Sequence, residues 1–571
     1  MLKISRLYSD PKSFEPIEFD DGINLILGEK DDSSNKTNGV GKSLSIEFIN
    51  FALLKDFTHS RVAKIPFEEF PRNTQVCLDF TVNGRAVTSK RSIEDKGAPV
   101  LIIDGVETKF FNIDDASKQL TNLLFGTANY TDHPSFRSIL GPLIRDERSE
   151  FKSIVDCVDT KLKFKPDLTP HLFLLGIPPS LYQESIKLQK EADNLSTSRR
   201  EMKTGILTLT GKSFADAKAD VNDLASQVEQ IKSEMDRLES AESYELVRDE
   251  IIDLENNLEI QRTQQSVLKA ELSKLKLFKG DNYIDESEVA DLYERFREGL
   301  GEMIKREIQE VTAFKKKIDN FQLTLIESRR DALVAELNEI RNSIGSLDSQ
   351  YKEKLSLIDQ QGELKSLKST VMTYQKKLEE LSQLSSYISR YEEFDSKYKV
   401  ARRDRSAKII QLESLIGEAD SKISAFEESI LKIHEYVMGN RKSYFEIKTT
   451  EKKETVSLEL RIYDDGSHSN EREKVFFYDM ALLLTHELRS THPGLLIHDN
   501  IFDVDQDTLL RSLNYLAEHA EEISDRQYIL TLNSDKLHSD ELVDLKLDLE
   551  KYKRAAFTKT NRFLGKHYQE M

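Results

Sequence analysis

Residues 23–54 read INLILGEKDDSSNKTNGVGKSLSIEFINFALL. The apolar run Ile23–Leu27 stops at Gly28, and a helix is expected near Lys42, carrying Leu44, Ile46, Phe48, Ile49 and Leu53. Between them stands Asn38-Gly39-Val40-Gly41-Lys42-Ser43. A strand, a glycine turn and a helix in that order form a phosphate-binding loop, because the turn and the helix N-terminus aim backbone N–H groups at one anion. Lys42 would neutralise the β- and γ-phosphates and the Ser43 hydroxyl would ligate Mg²⁺. Asn38, Gly39 and Gly41 would cradle the phosphates, which makes ATP with Mg²⁺ the expected ligand. The full G-x-x-x-x-G-K-[ST] pattern wants glycine at 36, where this chain has Lys36. Gly28 lies eight residues earlier and leaves the polar insert Glu29–Asn35. The plain alternative is a chance GxGKS in a turn.

Outward from that loop, the first 130 residues read as α/β structure. Strands are expected at Leu2–Leu7 and Ile17–Phe19, and hairpins at Asn83-Gly84 and Asp104-Gly105, both turn dipeptides of the hairpin type. From about Ser180 the texture becomes helical. Val221, Leu224, Val228, Ile231, Met235 and Leu238 alternate spacings of three and four, as a coiled-coil seam does. Ile251, Leu254, Leu258, Leu268, Leu272 and Leu275 resume it. Leu364, Leu367, Val371, Tyr374, Leu378 and Leu381 repeat it, as do Leu412, Ile416, Ala419, Ile423, Phe426, Ile430, Ile433 and Val437. These stripes read as seam. The turning region is expected over Phe278–Gly345, where Gly280, Asn282, Gly299 and Gly301 interrupt the pattern.

After Gly439 the strand texture returns at Tyr444–Lys448 and Val456–Ile462. A helix Val475–His486, a buried strand Gly494–Ile497, a helix Leu509–Ala520 and a strand Tyr528–Leu532 follow. Leu495-Leu496-Ile497-His498-Asp499 is an apolar strand ending in an acid, the form of a Walker B element in which Asp499 holds Mg²⁺. The next residue is Asn500, whose amide cannot act as a general base and would only orient a water. Asp503 or Asp505 would replace the missing carboxylate, or both are simple caps of the following helix.

Composition agrees with long solvated helices joined to compact ends: 32% of the 571 residues are charged, 8% are aromatic, and none is tryptophan. The formal net charge of −19 excludes a general polyanion binder, so any nucleic-acid contact must use a local basic surface. Two cysteines, Cys77 and Cys157, outside any CxxC pair point to a reduced compartment without structural zinc. No apolar leader and no run of 18 apolar residues is present, so the chain reads as cytoplasmic and without a membrane partner.

The pairing of an N-terminal phosphate loop with a C-terminal Walker B strand across a coiled coil resembles the SMC/RecN/RecF branch of the ABC ATPases. The stretches Phe476–Leu483, His498–Asp503 and Tyr528–Asn533 look like small bacterial coiled-coil ATPases of multi-component defence systems, Lamassu-like or three-component ABC systems. The resemblance implies an α/β P-loop ABC-type head built from both chain ends, with a long antiparallel coiled coil between them in sequence. The expected domains are an N-terminal lobe 1–179, an ascending arm 180–277, a helical tip 278–345, a descending arm 346–440 and a C-terminal lobe 441–571. It also implies a homodimer through the heads, with ATP held between Walker A of one copy and a signature loop of the other. That loop falls at Ser467–Glu471, with Ser469 as the γ-phosphate contact, although the usual glycines are missing. Asn533 takes the place of the switch histidine. No Q-loop glutamine is evident; Phe136–Arg145 occupies that region, with Arg145 near the nucleotide. His498 reads as a packed strand residue.

Further implied are hydrolysis of ATP carried by Asp499 with Asn500 or Asp503, and binding to duplex DNA without sequence preference. Anti-phage or anti-plasmid effector subunits are the implied partners. Basic groups at Lys161, Lys163 and Lys165, at Arg441 and Lys442, and at Lys551, Lys553 and Arg554 would face backbone phosphates. Lys315–Lys317 and Arg402, Arg403 and Arg405 are further candidates, although each cluster also reads as an ordinary solvated helix face. Two other readings stay open: a housekeeping repair ATPase of the same architecture, and a coiled-coil scaffold that holds nucleotide without turnover.

Overall fold

The computed structural model describes residues 1–31, 39–95, 98–126, 133–157, 159–161, 166–239, 248–277, 327–354, 363–462, 468–536 and 544–565. Contacts divide the chain into a head unit, Met1–Ala192 with Lys399–Glu570, and an arm unit, Asp193–Tyr398.

The head contains a five-stranded parallel sheet and a six-stranded antiparallel sheet. Strands β1 (Leu2–Asp10), β2 (Ile17–Glu18), β4 (Gln75–Val82), β5 (Arg85–Ser92), β6 (Val100–Ile103) and β7 (Val106–Lys109) form the antiparallel sheet in the order β2-β1-β4-β5-β6-β7. Its two tight hairpins turn at the expected dipeptides. Asn83 and Gly84 have φ of 50° and 81°, Asp104 and Gly105 of 48° and 84°, the doubly left-handed backbone that twists correctly into the flanking strands.

The parallel sheet uses β3 (Gly22–Gly28), β8 (Ile144–Arg145), β11 (Leu495–Asp499), β12 (Gln527–Asn533) and β13 (Lys553–Phe557) in the order β13-β3-β12-β11-β8. Every residue of β3, β11 and β12 is buried, as expected of parallel strands covered on both faces. The two chain ends interleave, since β3 and β8 come from the first 145 residues and their neighbours from the last 80 or so. Gln527 adds a side-chain link: Ile4 N–H donates to its Oε1 at 2.7 Å, and its Nε2 donates to Ile4 O at 2.7 Å and Asp20 O at 3.0 Å. A hairpin of β9 (Tyr444–Thr449) and β10 (Val456–Arg461) completes the head strands among the described residues.

The stripe Leu412–Val437 corrects the sequence expectation. Leu412, Phe426, Ile430, Ile433 and Val437 belong to the head core, not to an arm-to-arm seam. Phe426 meets Phe445 and Tyr478 edge to face at 5.0 and 5.4 Å. A helical stripe states that a helix buries one face, and a sheet-bearing domain satisfies it as well as a partner helix does.

Within the arm unit, three apolar clusters set an antiparallel register. Ile206 and Ala217 meet Leu384 and Ile388; Met235, Ile251 and Leu258 meet Tyr351 and Val371; Leu268 meets Leu333 and Leu337. As one strand of the pair advances, its partner recedes. Arg199–Asp395 at 2.7 Å and Arg329–Glu271 at 2.8 Å mark the same register, though such surface pairs add little stability. Residues 327–354 are helical, so the boundary drawn at Gly345 falls inside a helix that already pairs with the ascending arm. The tip expected at 278–345 lies outside the described residues up to 326, and with it Gly280, Asn282, Gly299, Gly301 and Lys315–Lys317.

A buried polar cluster holds β8 and β11 to the helix His468–Leu484. Arg145 and Asp479 are 0% and 1% exposed. Arg145 Nε donates to Asp479 Oδ2 at 2.6 Å and Nη2 to Oδ1 at 2.9 Å. Nη2 also donates to Ile154 O at 2.7 Å. His498 lies 3.0 Å from Asp479 Oδ2 through Nε2 and 3.0 Å from the Tyr528 hydroxyl through Nδ1. Burial would raise Asp479, but the Arg145 guanidinium and His498 hold its carboxyl below the usual range. Such a pair is costly to break from one side, because the remaining charge stays buried without its counterion. Asp479→Ala is therefore expected to weaken the head by about 3–5 kcal/mol. Hydrogen-exchange mass spectrometry should show faster exchange in β8 and β11, with the arm helices unchanged.

The C-terminal segment closes over the phosphate loop. Phe563 N–H donates to Val40 O at 3.1 Å, and Arg562 Nη1 to Gly39 O at 3.2 Å. Gly41 has φ of 113°, and a Cβ there would stand 2.5 Å from Phe563 Cβ and 3.1 Å from Phe563 N. Gly41→Ala should therefore combine left-handed strain with a backbone clash. The expected result is release of the segment, read as faster tryptic cleavage after Lys559 and Arg562. Unchanged cleavage would contradict the packing.

Candidate nucleotide site

The site sits at the C-terminal ends of β3, β11 and β12, where parallel strands leave their loops together. Gly39 and Gly41 take φ of 71° and 113°, and Gly41 caps the helix Lys42–Ala52. That helix is held by the burial of Leu44, Ile46, Phe48 and Ile49, each worth about 1.5–3 kcal/mol. Residues 32–38, which include Asn38 and the insert from residue 32 onward, lie outside the described residues.

Lys42 is 6% exposed. Its Nζ donates to Asn533 Oδ1 at 2.5 Å. Burial pushes the Lys42 ammonium below its ordinary range, against the opposing pull of Asp499, Glu147 and Asp535. Ser43 Oγ donates to Asp499 Oδ1 at 3.1 Å, and Thr531 Oγ1 donates to the same oxygen at 2.7 Å. Burial raises the Asp499 carboxyl to about 6, helped by the charges of Glu147 and Asp146 and opposed by the two hydroxyls. A buried carboxylate beside a hydroxyl, with two further acids within electrostatic reach, is a site short of positive charge. Oxygen donors of this kind suit a hard divalent cation, so Ser43 and Asp499 fit Mg²⁺.

Thus Lys42 and Ser43 from the N-terminal half meet Asn533 and Asp499 from the C-terminal half, whereas Gly39 and Gly41 lie beside Lys559 and Phe563 and Asn500 contacts Thr531, Arg472 and Glu147. Other expected residues are placed differently. Asp503 is 61% exposed at its side chain and pairs with Lys536 at 2.7 Å; no contact among the described residues ties it to Lys42, Ser43 or Asp499. Asp505 caps the helix Gln506–Glu518, accepting from Thr508 N–H at 3.1 Å. Arg145, expected near the nucleotide, is spent wholly on Asp479 and backbone carbonyls. Ser469 falls in the first turn of the helix His468–Leu484 rather than ahead of it; its side chain and Ser467 lie outside the described residues. His498 is packed and hydrogen-bonded.

The structure adds residues that no motif marked. Thr531 bridges Asp499 and Asn500: its hydroxyl donates to the first and accepts from the backbone N–H of the second at 2.9 Å. Arg472 Nη1 donates to Asn500 O at 2.9 Å. Glu147 reaches across from the one-turn helix Glu147–Ser149, where its Oε1 accepts from Asn500 Nδ2 at 2.6 Å. A lone glutamate in a loop carries no sequence signal, and only the pairing of β8 beside β11 brings it here.

Several residues of the basic clusters considered for DNA pair within the protein. Arg441 pairs with Glu428 and Glu435 at 2.6 and 3.0 Å. Lys553 pairs with Glu550 at 2.6 Å, and Arg554 with Asp20 at 2.6 Å. Arg403 pairs with Asp404 at 3.0 Å, and Arg405 is buried, donating to Glu451 O at 2.8 Å. Lys163 and Lys165 lie outside the described residues. Among the described residues no helix is long and apolar enough to cross a membrane.

Residues 428–568 match a family described as an uncharacterised protein conserved in bacteria (DUF2326). The chain is 23% identical over 579 residues to the uncharacterized protein YydD of Bacillus subtilis, covering 92% of this chain and 91% of that one. Among solved structures it is similar to an Smc head domain with a coiled coil and joint from Pyrococcus yayanosii, at 14% identity and a TM-score of 0.36, covering 95% and 93% of the two chains. An Smc head domain with an extended coiled coil from Pyrococcus furiosus, bound to the C-terminal domain of ScpA, is similar at 10% identity and a TM-score of 0.30, covering 94% and 91%.

Proposed function

We propose that this chain is an SMC-like ATPase that binds ATP with Mg²⁺ in a head built from both chain ends and hydrolyses it. The observation that carries this reading is the meeting of Lys42 and Ser43 with Asp499 and Asn533 at adjacent ends of β3, β11 and β12. In this reading the backbone of Gly39 and Gly41 and the Lys42 ammonium bind the β- and γ-phosphates, with Lys42 exchanging Asn533 for phosphate oxygen. Ser43 and Asp499 hold Mg²⁺, which neutralises charge on the phosphates. Thr531 keeps the Asp499 carboxylate aimed at the cation.

The finer reading is a homodimer through the heads that engages duplex DNA and, in a bacterial anti-phage or anti-plasmid complex, controls a separate effector. Its support is the family resemblance in Phe476–Leu483, His498–Asp503 and Tyr528–Asn533. A second reading, nucleotide held without turnover, is favoured by the amide at Asn500.

Phosphate release by the purified chain, with and without linear duplex DNA, separates them. Lys42→Ala is expected to lower release by about 100-fold or more, the usual effect of removing a charge that stabilises phosphoryl transfer. Release stimulated by DNA and lost in Lys42→Ala supports the coupled ATPase. No release above that variant, with ATP binding retained, supports the scaffold.

A further inference from the structure

We propose that Glu147 is the general base for ATP hydrolysis, positioned by Asn500, so that the carboxylate missing after the Walker B aspartate is supplied from the loop after β8. This rests on the nucleotide reading of the site.

The geometry is specific at both ends. Glu147 is exposed on the site side, but its backbone is fixed. Two residues before it, Arg145 is anchored on Asp479. Immediately before it, Asp146 accepts from Arg148 N–H at 3.1 Å and closes the turn. Parallel pairing of Ile497 with Ile144 and His498 with Arg145 runs the two chains side by side toward the site. Continued beyond the last paired residues, that direction brings Glu147 alongside Asn500, where the 2.6 Å hydrogen bond is found.

Asn500 is equally constrained. Its φ of 61° is left-handed, a conformation asparagine tolerates better than most residues. Thr531 holds its N–H and Arg472 its carbonyl. Its amide is therefore a fixed donor that occupies Glu147 Oε1 and leaves Oε2 for a water. Three other acids near the site have partners elsewhere: Asp503 pairs with Lys536, Asp505 caps its helix, and Asp146 closes its turn and lies 3.7 Å from Lys55. Glu147 is also within electrostatic reach of both Lys42 and Asp499.

The step balances simply. A water between Glu147 and the γ-phosphorus gives its proton to Glu147 as its oxygen bonds to phosphorus. The bond from phosphorus to the β–γ bridging oxygen breaks, ADP and phosphate leave, and Glu147 returns the proton to solvent. Asn500 is a positioning residue in this step, since it acts through Glu147.

The test uses the full-length chain and two readouts, phosphate release and the affinity of a fluorescent ATP analogue with Mg²⁺. Glu147→Gln should lower kcat by about 100-fold or more, the range for loss of a general base, while analogue affinity stays within about 3-fold. Asn500→Ala should lower kcat by about 10-fold, as expected for loss of orientation alone. Adding Asn500→Glu to Glu147→Gln should recover at least about 10-fold of the loss, because a carboxylate is restored from the other side of the pair. Wild-type kcat in Glu147→Gln overturns the proposal, as does loss of analogue binding in that variant, which would make Glu147 a binding residue. Wild-type release no greater than that of Lys42→Ala also overturns it. Failure of the nucleotide reading is separately visible: in that case Lys42→Ala leaves analogue affinity unchanged.

Discussion

Parallel pairing of β3 with β12, from Gly22 opposite Gln527 to Gly28 opposite Asn533, is the contact on which the head depends. A parallel strand needs covered faces and neighbours on both sides to satisfy its backbone. Here β3 obtains both neighbours, β12 and β13, from residues more than 490 positions away. The N-terminal half cannot complete its sheet alone, and neither can the C-terminal half, whose β11 finishes against β8. The arm helices lie between these ends in the chain. Local antiparallel pairing within the arms reduces the loop-closure cost before the long-range pairing forms.

The same interleaving makes the site composite. Lys42 follows β3, while Asn533 and Asp499 end β12 and β11, so the spacing between adjacent strands sets the distances between their groups. A site mounted on strand ends is held more rigidly than one on loops alone. Buried charge then concentrates at one point. Lys42, pressed down by burial, faces Asp499, pressed up by burial, and each shift disfavours the charged form in the dry interior. In the proposed nucleotide reading, ATP with Mg²⁺ would bring anions for the first and a cation for the second.

Much of this was legible in the sequence because it depends on local pattern. Ile23–Leu27, Leu495–Asp499 and Tyr528–Leu532 read as buried strands from continuous apolar runs, and Asn83-Gly84 and Asp104-Gly105 named their own turns. Periodicity also located the helices, but it could not say what they face. The stripe Leu412–Val437 has the same spacing as the true arm seams and yet closes the head core. Site residues divide the same way. Lys42, Ser43 and Asp499 sit in motifs, whereas Glu147, Thr531 and Arg472 reach the site only through sheet order and side-chain direction. Arg145 shows the converse: its place in the stretch Phe136–Arg145, where the resemblance puts a Q-loop, invited a role at the nucleotide, but full burial with Asp479 assigns the guanidinium to structure.

That assignment connects the site to the rest of the head. Asp479 lies on the helix His468–Leu484, and Arg472 on the same helix holds the carbonyl of Asn500. Arg145 on β8 and His498 on β11 both meet the Asp479 carboxylate. One helix therefore fixes two strands through a buried charge and fixes Asn500 through a hydrogen bond. Because buried pairs of this kind permit little sliding, a shift of the helix start would move Asn500 and Glu147 together rather than one past the other. The first turn of that helix contains Ser469, where the family resemblance puts the contact to a second head.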